Sequence, residues 1–182
     1  METDKQQVHD FWSEAACGEN LYLHGISRQD YETQARRRYE LEPYIAEFAG
    51  FECARGKRVL EIGVGLGADH QRFAEAGVIL AGIDLTKHAV DHTARRLAAF
   101  GLSSELAAGD AEQLDFPDES FDVVYSWGVL HHSPDTAKAV SEVWRVLTRG
   151  GTAKVMIYHT WSLVGLMLWI RYALLRLQPW LL

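Results

Sequence analysis

The stretch that decides the fold reads Arg58-Val-Leu-Glu-Ile-Gly-Val-Gly-Leu-Gly-Ala-Asp69. It begins with a short apolar run typical of a buried strand, passes through Gly63, Gly65 and Gly67, and enters a helical pattern that ends at Gly77. A strand that turns through glycines into a helix suits ligand binding, because bare backbone can approach a ligand and the helix N-terminus offers free N–H groups. Glycines also make plain turns, so the loop alone does not identify its ligand.

The composition restricts the class of protein and its partners. A chain of 182 residues suits one domain with a single core. The formal net charge of −7 at pH 7 predicts no nucleic-acid partner, because a phosphate backbone needs a basic surface. The two cysteines, Cys17 and Cys53, favour a reducing compartment and exclude a cysteine zinc site. The polar N-terminus predicts no signal peptide, and we therefore expect a cytoplasmic protein.

Apolar strands and helical patterns alternate from Lys57 onward. The predicted strands are 58–62, 78–83, 104–108, 121–126 and 153–158, and the predicted helices are 68–76, 86–100 and 133–149. This alternation predicts an α/β fold with a doubly wound, mostly parallel sheet that binds ligands at the carboxyl ends of its strands. We divide the chain into a helical cap (1–50), the sheet domain (51–160) and an apolar C-terminal helix (161–182).

Apolar residues at helical spacing predict which helix faces are buried. The predicted faces are Val90, Ala94 and Leu97 in the second helix, and Val140, Val143, Trp144 and Leu147 in the third. A further helix is predicted before the sheet from the pattern Leu41, Tyr44, Ile45 and Phe48, and Pro43 begins or kinks it. The run Arg36-Arg-Arg38 just before it is predicted to be a solvated helix face, with a clamp for a substrate anion as the alternative.

The apolar segment 161–182 contains only two charged residues, Arg171 and Arg176. Its unbroken apolar run ends at Ile170 and is half the length that a membrane-spanning helix needs, about 20 residues. A core or cap helix is therefore favoured, and a helix at a membrane surface or subunit contact comes next. A transmembrane span is the least favoured of the three.

Polar residues follow the predicted strands at the edge where a ligand is expected. Asp84 follows the second strand and can accept hydrogen bonds from both hydroxyls of a ribose. Asp110 follows the third strand, and with the backbone N–H of Ala111 it could read the edge of an adenine. Either acid could instead cap a helix or lie in a solvated turn. Trp127 and the pair His131-His132 follow the fourth strand.

These residues together resemble the class I S-adenosylmethionine-dependent methyltransferases. The run 59–67 is similar to motif I of that family, because an acid, Glu61, precedes alternate glycines. Four further stretches resemble family motifs in the same order, 82–84, 109–117, 121–132 and 146–151. The resemblance covers about residues 57–158, is closest to the subgroup that methylates small molecules, and implies a Rossmann-like fold.

The resemblance implies S-adenosyl-L-methionine as the cofactor and assigns roles at the matching positions. The glycine loop would hold the methionine end, with the acid of motif I nearby. Two acids would bind the ribose and the adenine edge, a leucine would pack on the adenine, and a tryptophan would line the reactive end. The residues are Glu61, Gly63, Gly65, Gly67, Asp84, Leu85, Asp110, Ala111 and Trp127. His132 matches a histidine that is frequent in this subgroup at the edge of the substrate pocket.

The cofactor carries an activated methyl group, so we expect the protein to supply orientation and, for a hydroxyl acceptor, a general base. His131 and His132 are the candidate bases, and packing or capping of the next helix is the alternative. Adjacent positions predict side chains that point apart, and we predict no metal site. The chain lacks an Asn-Pro-Pro-Tyr-type run after strand four, which leaves a small organic acceptor methylated at oxygen, carbon or nitrogen.

Two features depart from the family pattern. The family sheet normally has seven strands, but this chain ends before the last two, so it is either truncated or completes its sheet edge in another way. The first 50 residues match no motif, and such extensions often cover the substrate. A nicotinamide-dependent oxidoreductase remains an alternative, because Gly63, Gly65, Ala68 and Asp84 also fit its fingerprint. A non-catalytic cofactor-binding fragment is a third possibility.

Overall fold

A computed structural model describes residues 2–158 and residue 167 of the chain. Five strands form one parallel sheet in the order β3-β2-β1-β4-β5. Their bounds are β1 (Arg58–Ile62), β2 (Ile79–Asp84), β3 (Glu105–Ala108), β4 (Phe121–Trp127) and β5 (Leu147–Met156). The predicted Rossmann-like, doubly wound α/β fold is confirmed.

Seven α-helices and two 3-10 turns connect and cover the described strands. The helices are α1 (Glu2–Glu14), α2 (Glu19–Tyr22), α3 (Arg28–Leu41), α4 (Ile45–Ala49), α5 (Ala68–Glu75), α6 (Lys87–Ala99) and α7 (Thr136–Val146). The 3-10 turns are Phe51–Ala54 and Leu130–His132. The strand order reverses between β1 and β4, which is the switch point where open α/β sheets bind ligands.

Strand β1 is central because it is buried on both faces. Leu60 and Ile62 pack with Val124 and the apolar face of α7 on one side of the sheet. Val59 packs with Phe73 of α5 on the other side. A strand that is covered on both faces is mostly apolar, and this explains Val59, Leu60 and Ile62 before the glycines; the one buried polar residue of the strand, Glu61, has a hydrogen-bond partner.

The C-terminal end of α7 differs from the sequence prediction. The helix ends at Val146, and β5 begins at Leu147 instead of residue 153. Leu147 pairs with Phe121, and the register then shifts so that Thr152 pairs with Val123. Gly150 and Gly151 were predicted to end the helix, but they lie in β5, in the irregular part of the strand where the register shifts.

Two predicted helical faces are only partly right. In α6 the predicted face was Val90, Ala94 and Leu97, and of these only Leu97 is among the buried residues, which are Ala89, His92, Thr93, Arg96 and Leu97. Of the face predicted for α7, Val143 and Leu147 are buried, but Val140 and Trp144 are 51% and 81% exposed. His92 and Arg96 can be buried because each has a polar partner, Glu19 and Gln34 respectively. The buried face of α6 is therefore different from the face that its apolar residues predict.

The predicted helix through residues 41–48 is two helices. Helix α3 ends at Leu41 and α4 begins at Ile45, and Pro43 lies in the break between them. The predicted C-terminal helix 161–182 lies outside the described residues, except for residue 167. Within the described part of the chain, no helix is long and apolar enough to cross a membrane.

Candidate functional site

A cavity of ≈ 300 Å³ lies at the carboxyl ends of β1, β2 and β4, beneath helices α1 and α3. Ten of the eleven residues that were predicted for the site line it: Glu61, Gly63, Gly65, Gly67, Asp84, Leu85, Asp110, Ala111, Trp127 and His132. His131 is the eleventh, and it is not part of the lining. The structure therefore brings together positions that are spread over more than 70 residues of sequence.

The glycine loop has the backbone that its sequence predicts. Gly63, Gly65 and Gly67 all have positive φ, at 84°, 52° and 74°. A Cβ atom at Gly63 would overlap the side chain of Val129, and one at Gly67 would lie 2.8 Å from Oγ1 of Thr93. A Cβ at Gly65 would meet nothing within 4 Å. The middle glycine thus leaves open space on the cavity side, and this space suits close approach of a ligand to the backbone.

Asp84 ties the glycine loop to the start of α6. Its Oδ2 accepts a hydrogen bond from the backbone N–H of Gly65 at 3.1 Å, and its Oδ1 accepts from the backbone N–H and the hydroxyl of Thr86, each at 3.0 Å. The N-cap of α6 is Thr86, so Asp84 forms the turn before the helix and does not itself cap it. A carboxylate has about four lone-pair sites and three are used here, so Asp84 retains one, on Oδ2, for the ribose.

Helix α1 covers the predicted adenine end of the cavity. Nζ of Lys5 lies 2.6 Å from Oδ2 of Asp110, and it also pairs with Glu112. The other oxygen of Asp110 accepts a hydrogen bond from the backbone N–H of Glu112 at 2.8 Å. Lys5 was not predicted from the sequence, because residues 1–28 show no clear period and nothing local connects them to residue 110.

Glu61 lies beneath the glycine loop in a buried hydrogen-bond chain. Its Oε2 is 2.9 Å from Nδ1 of His70, and Nε2 of the same histidine is 2.7 Å from the hydroxyl of Ser104. Burial raises the pKa of Glu61, and the hydrogen bond from His70 opposes that rise. This carboxyl group therefore joins β1 to α5 and supports the loop from below.

A second polar cluster at the same end of the cavity was also missed. Asp69 is buried and accepts hydrogen bonds from Arg38 at 2.7 and 3.2 Å, from Tyr39 at 2.9 Å and from Tyr125 at 2.8 Å. Burial opposes the charge of Arg38, but the Asp69 carboxylate raises its pKa above the ordinary value. Burial and Asp69 raise the pKa of both tyrosines, which stay neutral donors.

The run Arg36-Arg-Arg38 was predicted to be a solvated helix face, with an anion clamp as the alternative. Arg36 and Arg37 are exposed, as the first interpretation requires. Arg38 instead reaches into the cavity lining. The signal that distinguishes it is spacing, because Tyr31, Gln34 and Arg38 lie on one face of α3 and the first two are buried.

Aromatic side chains form the end of the cavity near the fourth strand. Trp127 lies against Tyr44 and Phe48, with ring centroids 5.7 and 5.3 Å away. Its Nε1 is buried and has no hydrogen-bond partner in the part of the chain that the structure describes. His132 packs against Trp12 of α1 at 5.5 Å. An apolar wall with a few polar atoms is the usual lining of a small-molecule site.

The two adjacent histidines do not point apart, contrary to the prediction. The 3-10 turn brings their rings to a centroid distance of 4.0 Å, because that tight turn does not alternate side chains as a strand does. Nδ1 of His131 is buried and has no hydrogen-bond partner among residues 2–158 and 167, and its ring packs against Tyr158. Desolvation lowers the pKa of both histidines, so both are neutral at pH 7.

A sequence family described as the methyltransferase domain matches residues 60–155, which span the sheet and its cavity. The chain belongs to the class I S-adenosylmethionine-dependent methyltransferases. The glycine loop alone fits both a methyltransferase and a nicotinamide-dependent oxidoreductase, because the same glycines meet both patterns. The family match decides between these two enzyme classes in favour of the methyltransferase.

Relatives in this family include enzymes with different acceptors. The chain is 37% identical over 108 residues to a phosphatidylethanolamine N-methyltransferase of Cereibacter sphaeroides, covering 58% of this chain and 52% of that one. It is 34% identical over 115 residues to the sterol 24-C-methyltransferase erg6 of Aspergillus fumigatus, covering 60% and 29%.

A solved structure of a family member contains ligands. Phosphoethanolamine N-methyltransferase 2 of Haemonchus contortus, in complex with phosphomonomethylethanolamine and S-adenosylhomocysteine, superposes with a TM-score of 0.50 and 32% identity. The match covers 54% of this chain and 24% of that one. The chain thus spans about half or less of the length of each of these relatives.

Proposed function

We propose that the protein transfers the methyl group of S-adenosyl-L-methionine to a small organic acceptor by in-line displacement. The observation that carries this proposal is the single cavity at the strand ends. It gathers an open glycine backbone, two strand-end acids and an aromatic wall with a neutral histidine. The cofactor-bound structure of a similar protein supports the choice of cofactor.

The lining residues suit the parts of this cofactor in order along the cavity. The backbone from Gly63 to Gly67 would hold the amino-acid tail, beside the Arg38–Asp69 pair. Asp84 would accept hydrogen bonds from the ribose hydroxyls, and Leu85 would pack on the adenine. Asp110 and the backbone N–H of Ala111 would bind the adenine edge. Each oxygen of Asp110 already accepts one hydrogen bond, from Lys5 or from the backbone N–H of Glu112, and each has a second lone pair for the adenine.

When bound, the cofactor supplies an activated methyl group on a sulfonium, so the protein's task is orientation. The aromatic wall of Trp12 and Trp127 would exclude water and fix the acceptor in line with the reactive carbon. His132 faces the cavity and is neutral, so its ring can accept a proton from an acceptor hydroxyl or amine. His131 would hold the ring of His132 in place from behind.

The aromatic lining favours an acceptor with an apolar body. Phospholipid and sterol acceptors are named for two similar proteins, and both carry large apolar parts. The N-terminal segment 1–50 contributes Val8, Trp12 and Ala16 to the lining. We propose that this segment is a cap that helps to select the acceptor, while 51–160 binds the cofactor.

Calorimetric titration of the full chain tests the cofactor assignment. We expect saturable 1:1 binding of S-adenosylhomocysteine and no heat from NADH. Transfer of labelled methyl from S-adenosylmethionine is then measured with phosphatidylethanolamine, a sterol and small polar amines. NADH binding without a response to S-adenosylhomocysteine would overturn the cofactor assignment. Cofactor binding without transfer to any acceptor class would support the non-catalytic fragment instead.

A further inference from the structure

Helices α2 and α6 form a three-residue cluster beside the cavity but outside its lining. Nε2 of His88 lies 2.7 Å from Oε2 of Glu19, and Nε2 of His92 lies 3.1 Å from Oε1 of the same carboxylate. One nitrogen or oxygen atom from each of the three residues lies within 4.8 Å of the others. No second group of this kind occurs among residues 2–158 and 167.

The donor atoms and their spacing suit a zinc ion. His88 and His92 stand at i and i+4 of α6, so both rings project from one face of the helix, and this spacing is common in zinc sites. Zinc binds imidazole nitrogen and carboxylate oxygen at about 2.0–2.2 Å, which places tetrahedral ligand atoms about 3.3–3.6 Å apart. The 3.1 Å between Nε2 of His92 and Oε1 of Glu19 is close to that separation, whereas the 2.7 Å between Nε2 of His88 and Oε2 of Glu19 is a hydrogen-bond distance that must lengthen when zinc binds.

The three side chains of the cluster differ in how far they are exposed to solvent. The side chain of His92 is 8% exposed, that of Glu19 is 18% exposed and that of His88 is 33% exposed. The outer side therefore gives room for a water molecule as a fourth ligand.

We propose that Glu19, His88 and His92 form a Zn²⁺ site with three protein ligands and a fourth position for water. The site joins the N-terminal cap to the sheet domain, because Glu19 belongs to α2 and both histidines belong to α6. Its three residues are outside the cavity lining, so its role is to fasten the cap. The proposal does not depend on the acceptor or on the methyl-transfer activity.

Zinc titration of the full chain, after treatment with a chelator, tests this site. We expect one Zn²⁺ per chain by calorimetry and a rise in melting temperature on saturation. His88→Gln and Glu19→Gln should each weaken zinc binding at least tenfold, because each removes one of only three protein ligands. His24→Gln is the matched control, because His24 is exposed and lies outside the cluster, and zinc binding should be unchanged.

Cobalt substitution separates this site from binding through Cys17, which is exposed near Glu19. We expect visible cobalt bands of a four-coordinate nitrogen and oxygen site, without a thiolate-to-cobalt band in the near ultraviolet. A thiolate band that disappears in Cys17→Ser would overturn the proposed ligand set. Zinc affinity that is the same in His88→Gln, Glu19→Gln and the unmodified chain, or an absence of 1:1 binding, would overturn the site itself.

Discussion

At the scale of single residues, Asp84 gives the sharpest test of the cofactor orientation. Asp84→Asn keeps the shape of the side chain but removes the charge and one acceptor. We expect binding of S-adenosylhomocysteine to weaken about 10- to 100-fold, the loss that follows when a charged hydrogen-bond acceptor is removed. Asp91→Asn is the control, because Asp91 lies on α6, the helix that follows Asp84, and its salt bridge among the described residues is to the exposed Lys87. Equal affinities of the two variants, measured by calorimetry, would remove the ribose role of Asp84.

His132 is the residue through which activity should depend on pH. Desolvation lowers its pKa, so the ring becomes protonated only below the ordinary value of about 6.5. For a hydroxyl acceptor, kcat/KM should therefore be constant near pH 7 and fall as the pH drops through the lowered pKa. His132→Gln should reduce kcat by about 100-fold and remove this acidic limb.

The neighbouring histidine provides the control for that experiment. His131 lies outside the cavity lining, so His131→Gln should retain the acidic limb and most of the turnover. A limb that survives in His132→Gln but vanishes in His131→Gln would assign the base to the other ring. The sequence could name this pair but could not choose between its members, because the choice depends on the 3-10 turn that orients them.

At the scale of elements, the Glu61–His70 pair holds strand β1 against helix α5 beneath the glycine loop. Glu61→Ala leaves Nδ1 of His70 buried without a partner, and removal of one member of a buried pair costs about 3–5 kcal/mol. Glu61→Gln should cost less, because an amide can still meet the ring and burial already disfavours the charged form. Denaturant unfolding measures both variants, and equal losses would contradict the pairing argument.

Some elements of this protein can be predicted from sequence patterns and others cannot. Strands β1, β2 and β4 are predicted within a few residues, because strands that are buried on both faces are mostly apolar. Helix α6 shows the limit. Arg96 is fully buried and binds the side chains of Gln34 and Gln71 and the carbonyl oxygens of Tyr31 and Leu66. Its partners come from distant segments, so an amphipathic pattern places the helix face wrongly.

At the scale of the whole molecule, the site is predictable where residues follow strands and unpredictable where the cap reaches it. Asp84, Asp110 and Trp127 were found because parallel strands end at one edge of a sheet. Lys5 and Arg38 were missed because each meets its partner across more than 30 residues of chain. The zinc cluster is similar, because Glu19 and His88 are 69 residues apart and no local spacing links them.

The proposed zinc site should couple to the cofactor cavity through the cap. Ala16 and Cys17 line the cavity and lie three and two residues before Glu19, whose Oε2 also accepts a hydrogen bond from the backbone N–H of Ala16 at 2.8 Å. An ion that fixes Glu19 on α6 would therefore hold this part of the cap over the cavity. Coupling between two sites is typically about 5- to 150-fold and is reciprocal.

We expect saturating Zn²⁺ to slow the release of S-adenosylhomocysteine about fivefold or more, as measured by stopped-flow displacement. Coupling between binding equilibria is reciprocal. If zinc tightens the binding of S-adenosylhomocysteine, then S-adenosylhomocysteine should tighten the binding of zinc by the same factor. In His88→Gln the release rate should be the same with Zn²⁺ and with chelator, whereas His24→Gln should behave like the unmodified chain. Zinc binding without any change in release or affinity would show that the metal fastens α2 without holding the residues that cover the cofactor.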